Sequence, residues 1–287
     1  MIVLLCLLII VLLLLYLGFE IGQDVIFNRK KFFTFFEKPR LQTKIIYNIA
    51  ILIFVLAIWV LLSYTNVVSS QFLPTPYATL SAFLESLVSG ELIKNTLVSL
   101  YRVGIGFLLA SIIGVLLGSI IGTFSRVEAL LQPLNSAIRY IPPTAFIGLS
   151  IIWLGIGEVN KIALIFFAVI FYIIQMVADT VKLVPKVYIE TAQILGATRR
   201  EIFTRIILSS SIADILAVIR VNLGAAWTFL IVAELVSAQN GLGYLMSISQ
   251  RFLQTPKLFA LIFFVGFLGF LSDSLLARAI KYFSRWK

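Results

Sequence analysis

Five charged side chains stand inside long apolar runs of this 287-residue sequence: Arg102, Arg139, Arg220, Glu234 and Asp273. An ionisable group in a run long enough to cross a bilayer is costly there, and it marks a solute path, an ion-coupling site or an internal pair. Histidine is absent, which excludes imidazole catalysis. The single cysteine, Cys6, permits no disulfide within the chain, and without histidine no zinc or haem site is expected. No Gly-x-x-x-x-Gly-Lys stretch is present to cradle a nucleotide phosphate. The chemistry open to these residues is the handling of charge, with no cofactor and no metal.

The elements that must hold these charges are apolar and long. Hydrophobic residues make up 61% of the chain and charged residues 13%, against roughly 45–50% apolar in a soluble domain. A span needs about 20 mainly apolar residues. Seven runs qualify: Ile2–Phe19, Ile45–Tyr64, Thr96–Thr123, Ala129–Leu154, Ile162–Ala178, Ile215–Val236 and Leu258–Leu276. The predicted fold is all-α, a polytopic bundle of transmembrane helices. Ile2–Phe19 lacks a basic segment before it and a small-residue cleavage site after it, so it reads as a retained span rather than a signal peptide. Residues 1–40 then form an added N-terminal span with a basic linker, and residues 41–287 the main membrane domain.

The net charge of +10 reflects topology, not nucleic-acid binding. Basic residues gather in alternate connections: Arg29 to Lys44, Arg126, Lys182 to Arg205, and the tail from Arg278 to Lys287. Lysine and arginine favour the cytoplasmic side. The N-terminus is therefore expected outside and the C-terminus in the cytoplasm.

Two features concern packing. Gly106, Ala110, Gly114, Gly118 and Gly122 recur at every fourth position and make one smooth helix face. Such a face admits a second backbone, either within the chain or across a dimer seam. The pair Pro142-Pro143 breaks the fourth run, because proline removes backbone donors and bends a helix. Irregular backbone at membrane depth survives only under protein cover or beside a water-filled cavity. Arg139, one turn earlier, either lines a translocation path there or snorkels to the interface.

Residues 185–208 lie in the longest predicted cytoplasmic connection and read as two short amphipathic helices hinged at Gly196. Val187, Ile189, Ala192, Ile194 and Leu195 are the apolar residues of the first. Ile202, Phe203, Ile206 and Ile207 are those of the second. A helix pair between two spans can stand up as a docking knob. Glu190-Thr191-Ala192, then Gly196-Ala197, then Ile206-x-Leu208 resembles the cytoplasmic signature of ABC importer permeases, Glu-Ala-Ala, three residues, Gly, nine residues, Ile-x-Leu-Pro. Thr191 stands for an alanine and Ser209 for the proline. The resemblance implies that this segment forms the coupling helices that enter a groove on an ATPase subunit.

Further stretches are similar to the sulfonate, taurine and nitrate branch of that family: Leu73-Pro74-Thr75-Pro76, Ser99-Leu100-Tyr101-Arg102-Val103, Arg139-Tyr140-Ile141-Pro142-Pro143, Trp153 to Glu158, Val232-Ala233-Glu234 and Gly241-Leu242-Gly243-Tyr244. Membership would imply a type I importer permease of about six spans in a prokaryotic plasma membrane, with the first span as an addition. It would also imply a separate cytoplasmic ATP-binding subunit, an external substrate-binding protein and a second permease copy in the lipid bilayer. On this reading the protein translocates a small solute, with Arg102 and Arg139 favouring an anion, and is no enzyme itself. Arg102 and Glu234 are expected near an external gate, with Trp227 two turns deeper. The alternatives are a secondary transporter or channel, or a membrane-embedded enzyme; neither Glu234 nor Asp273 has an evident partner in sequence.

Overall fold

The computed structural model describes residues 41–65 and 68–283, and every regular element among them is helical. The expected span Ile2–Phe19, with Cys6 and the basic linker as far as Arg40, lies outside the described residues. Among the described residues five helices are long and apolar enough to cross a membrane: Thr43–Tyr64, Glu91–Thr123, Glu158–Lys182, Arg199–Val236 and Thr255–Tyr282. A sixth candidate is a pair bent by 75°, Ser125–Arg139 and Pro143–Leu154. Each apolar run from Ile45 onward falls on one of these six. The helices outrun the apolar stretches because their polar ends still favour helix: Glu158 opens one and Lys182 closes it, each complementing the helix dipole.

The elements are α1 (Leu41–Tyr64), α2 (Pro76–Val88), α3 (Glu91–Thr123), α4 (Ser125–Arg139), α5 (Phe146–Leu154), α6 (Glu158–Lys182) and α7 (Lys186–Ile194). There follow α8 (Arg199–Glu201), which runs through a π-helical segment, Ile202–Ile207, into α9 (Leu208–Ser237), then α10 (Leu242–Arg251) and α11 (Thr255–Phe283). Contacts divide them into two compact units. One holds the described chain up to Glu85 with Phe252–Ala260, and the other holds Ser86–Arg251 with the chain from Leu261 on.

In the first unit the Leu73–Pro76 stretch is pinned from both sides. Trp59 Nε1 donates to the Pro74 carbonyl at 2.9 Å, and its ring stacks on Phe259 at 6.3 Å. Pro76 begins α2, where a missing N–H costs nothing, and the Thr75 hydroxyl accepts from the Ala78 N–H at 3.2 Å.

In the second unit α6 packs against both α3 and α9. Its buried face carries Ile165, Val169, Ile173, Val177 and Ala178, none of them exposed. The glycines of α3 lie against that face. A Cβ added at Gly114 would stand 2.7 Å from Ile173 Cγ2, at Gly118 2.6 Å from the Ile174 carbonyl oxygen, and at Gly122 2.5 Å from that of Ala178. At Gly106 it would stand 3.0 Å from the Ile162 oxygen, and Ala110 is fully buried. Small residues let two backbones touch where apolar side chains gain nothing over lipid.

Between α4 and α5, Pro142 is extended (ψ 128) and Pro143–Ala145 forms one 3₁₀ turn. A residue that precedes proline is driven from helical geometry, and here Ile141 and Pro142 both do. This accounts for the 75° bend.

Candidate functional site

The most heavily bonded side chain in the second unit is Arg102 of α3, with no exposed surface. All five of its guanidinium hydrogens have acceptors. Nε and Nη2 donate to the two Glu158 carboxylate oxygens at 2.6 Å each. Nη1 donates to Glu234 Oε1 at 2.7 Å and to the Asn240 carbonyl at 2.8 Å, and Nη2 also reaches Asn240 Oδ1. Lys161, itself buried, lies 3.3 Å from Glu158. Two cations thus face two carboxylates, and the cluster as a whole is neutral, which is what burial demands.

The same cluster caps α10 from outside. The first N–H groups of a helix have no partner within it. Here the Gly241 N–H donates to Asn95 Oδ1 at 2.6 Å, that of Leu242 to Ser99 Oγ at 2.9 Å, and that of Gly243 to Glu234 Oε2 at 2.8 Å. Ser99 passes its own hydrogen to Glu234. A carboxylate at a helix N-terminus is also favoured by the dipole. Gly241 has φ 109, and a Cβ there would overlap the Glu234 carboxylate. The stretch from Ala238 to Gly241 is therefore fastened to α3, α6 and α9 together. The sequence pointed to Arg102 and Glu234 but missed Glu158, Asn95, Ser99, Lys161 and Asn240. One signal was available: Asn95, Ser99 and Arg102, spaced four and three residues apart, fall on one helix face.

Neither Arg102 nor Glu234 lines either of the two cavities that hold the other predicted path residues. The first, about 720 Å³, is a groove between α9 and α11, walled by Arg220, Gly224, Trp227, Gly266, Gly269 and Asp273. Trp227 donates its indole N–H to Ser272 Oγ at 2.9 Å. Arg220 and Asp273 form a bidentate pair at 2.7 and 2.6 Å, so Asp273, like Glu234, has a guanidinium partner. The second cavity, about 340 Å³ and almost wholly apolar, lies between the bent pair and α6, with Arg139 and Pro143 in its wall. Arg139 also sits over the Tyr140 ring at 5.4 Å. Pro142 is the extended residue of the bend itself.

The 185–208 segment is a compact helix pair. α7 ends in a Schellman arrangement: the Gly196 N–H bonds the Gln193 carbonyl at 3.0 Å and the Ala197 N–H that of Ala192 at 2.9 Å, with Gly196 at φ 81. Thr198 and Glu201 then form a capping box at the start of α8. Ala192, Ile202 and Ile207 are buried, and Phe203 packs against Phe124 at 5.9 Å. Glu190 and Thr191 are exposed; Ile206 and Leu208 are half-buried in the π segment and at the start of α9. Ile194 is 85% exposed and Leu195 81%. These two large aliphatic side chains have no cover among the described residues.

Residues 110–283 match the family described as binding-protein-dependent transport system inner membrane component, and the chain belongs to that family. It is the permease subunit of an ATP-driven importer, a multi-pass inner-membrane protein. It is 34% identical over 81% of its length to the putative aliphatic sulfonates transport permease protein SsuC of Bacillus subtilis (strain 168), covering 84% of that protein. It is 31% identical over 81% of its length to the taurine transport system permease protein TauC of Escherichia coli (strain K12), covering 86% of it. Its fold is similar to a chain of the MetNI methionine ABC transporter in inward-facing conformations, with TM-score 0.56, 17% identity, and 66% of this chain and 95% of that one covered.

Proposed function

We propose that this permease works in a complex with a separate cytoplasmic ATP-binding subunit, an external binding protein and a second permease copy, and that its solute is a small anion of the sulfonate, taurine or nitrate kind. The observation that carries the coupling part is the knob: Ile194 and Leu195 are almost fully exposed on a segment whose glycine hinge and capping box fix its shape. Glu190, Thr191, Ala192, Gly196, Ala197, Ile206 and Leu208 build that segment, and ATP-driven closure of the ATPase pair moves it and the attached α9. Such coupling biases a two-state element toward one side of the membrane or the other. Lipid covers the exposed apolar faces of the long helices.

Arg102 and Glu234 belong to the external end of the translocation path. Their neutral, fully bonded cluster makes them the brace of that gate. Trp227 lines the path wall, and the break at Pro142-Pro143 with Arg139 supplies a hinge beside it. Support for an anion comes from the relatives named for sulfonates and taurine. The test is reconstitution in nanodiscs with the ATP-binding subunit and the binding protein. ATP hydrolysis that rises when taurine-loaded or methanesulfonate-loaded binding protein is added supports the reading. A permease that neither retains an ATP-binding subunit nor alters its hydrolysis would refute it.

A further inference from the structure

The helical glycines of this protein fall into two groups. Those of α3 that face α6 are occupied: an added Cβ at Gly114, Gly118 or Gly122 would come within 2.5 to 2.7 Å of α6. Gly224 of α9 and Gly266 of α11 differ, because a Cβ at either would meet nothing within 4 Å. Neither has the positive φ that would call for glycine. Glycine in a helix interior costs about 1 kcal/mol relative to alanine, so close packing within the chain does not account for these two. Both line the 720 Å³ groove. What they leave open is room.

The charges in that groove are also unusual. Arg220 lies within the span-length helix Arg199–Val236 and Asp273 within Thr255–Tyr282, yet their side chains are 45% and 37% exposed. A half-bare ion pair at such positions is costly against acyl chains and calls for water or protein beside it. Asp273 occupies Nε and Nη2 of the guanidinium, and Nη1 takes no part in the pairing. Thr228, exposed on the same wall, adds a hydroxyl, and Trp227 an apolar side. The groove holds many times the roughly 30 Å³ share of one water.

We propose that the α9–α11 groove is a water-filled anion site, in which a small oxyanion such as a sulfonate binds the Arg220 guanidinium in exchange with Asp273. The ion pair is the empty state of the site: it keeps the arginine charged and oriented when no solute is present, and it opposes tight retention because Asp273 competes for the same donors. Weak, reversible capture is what conduction of an ion requires. The proposal rests on the transport reading above but assigns to the solute residues that it did not.

The test uses the assembled complex in proteoliposomes of neutral lipid, with Cys6→Ser removing the chain's one thiol and Gly266→Cys placing one in the groove, where it has space. Two small methanethiosulfonate reagents are compared, one bearing a sulfonate and one a quaternary ammonium. The sulfonate reagent is expected to label roughly tenfold faster, as for one favourable charge contact. Methanesulfonate should slow it. Arg220→Gln should erase the preference, and Asp273→Asn, which frees the guanidinium, should strengthen it. Equal rates for both reagents, or a preference that survives Arg220→Gln, would overturn the proposal. So would labelling seen only after the complex is dissociated, which would mean that a second copy fills the groove. Protection by added phosphatidylglycerol but not by methanesulfonate would replace the soluble anion with a lipid headgroup, and would equally overturn it. Should Arg220→Gln fail to fold, Asp273→Asn with unchanged selectivity is enough to reject it. Labelling does not depend on ATP hydrolysis, so the anion site and the transport reading fail separately.

Discussion

Arg102 Nη1 lies 2.7 Å from Glu234 Oε1, and neither side chain has any exposed surface. Removing one partner of a buried pair strands the other, at a cost of about 3–5 kcal/mol. Glu234→Ala is therefore expected to lower the unfolding temperature of the detergent-purified protein by far more than an ordinary surface substitution. Glu234→Gln, which keeps the shape and an acceptor for the Gly243 N–H, should fall between the two. An unchanged melting curve for Glu234→Ala would show that the cluster does not brace the fold.

Gly241→Ala probes the same cluster from the backbone side. The position has φ 109, and a methyl there meets the Glu234 carboxylate. A loss of at least 2 kcal/mol is expected, since the strained φ alone costs about 1–3 kcal/mol. Because both substitutions disrupt one network, the double variant Gly241→Ala with Glu234→Ala should be much less destabilised than the sum. Strict additivity in that double-mutant cycle would mean that the loop and the carboxylate are independent.

Much of this was legible in the sequence because apolar runs and prolines act locally. Every run from Ile45 onward is a span or a bent pair, and the bend falls at Pro142-Pro143 as the loss of donors requires. The knob was legible too: Gly196 sits at φ 81, where its lack of a Cβ matters. The ion cluster was read only in part. Glu158 opens α6 and Asn240 lies in the connection before α10; their neighbours are set by how α3, α6 and α9 pack, and a single sequence does not carry that. The same applies to Arg220 and Asp273, which are 53 residues apart. Helix α10 gives no clear sequence signal, because its ten residues are too few for a strong periodic pattern and its N-terminal bonds come from other helices.

The two kinds of glycine in α3 should respond oppositely to alanine. Gly104 is exposed, and a Cβ there meets nothing within 4 Å. Gly104→Ala is expected to stabilise by up to about 1 kcal/mol through helix propensity. Gly118→Ala would set a methyl 2.6 Å from the Ile174 oxygen and must push α3 away from α6. Its unfolding temperature should drop below that of the parent while that of Gly104→Ala rises. Shifts of the same sign would mean that α3 does not rest on α6 through these residues.

The knob offers the sharpest separation of stability from coupling. Ile194 and Leu195 touch little among the described residues, being 85% and 81% exposed. Substitutions at such positions usually change stability by no more than about 0.5 kcal/mol. The double change Ile194→Asp with Leu195→Asp should thus leave insertion, yield and melting temperature near those of the parent. It should nevertheless abolish co-purification of the ATP-binding subunit, because the two side chains would bring charge into the apolar contact. Gly196→Val acts on shape instead. A β-branched residue at φ 81 is strained, and the bonds from Gly196 to Gln193 and from Ala197 to Ala192 depend on that turn. The expected outcome is a protein that still inserts and still binds some ATP-binding subunit, but no longer raises its hydrolysis in response to loaded binding protein. The two variants therefore divide binding from transmission. If the aspartate pair retains the ATP-binding subunit at parental levels, the docking face lies elsewhere on the chain and α7 is an ordinary solvated connection.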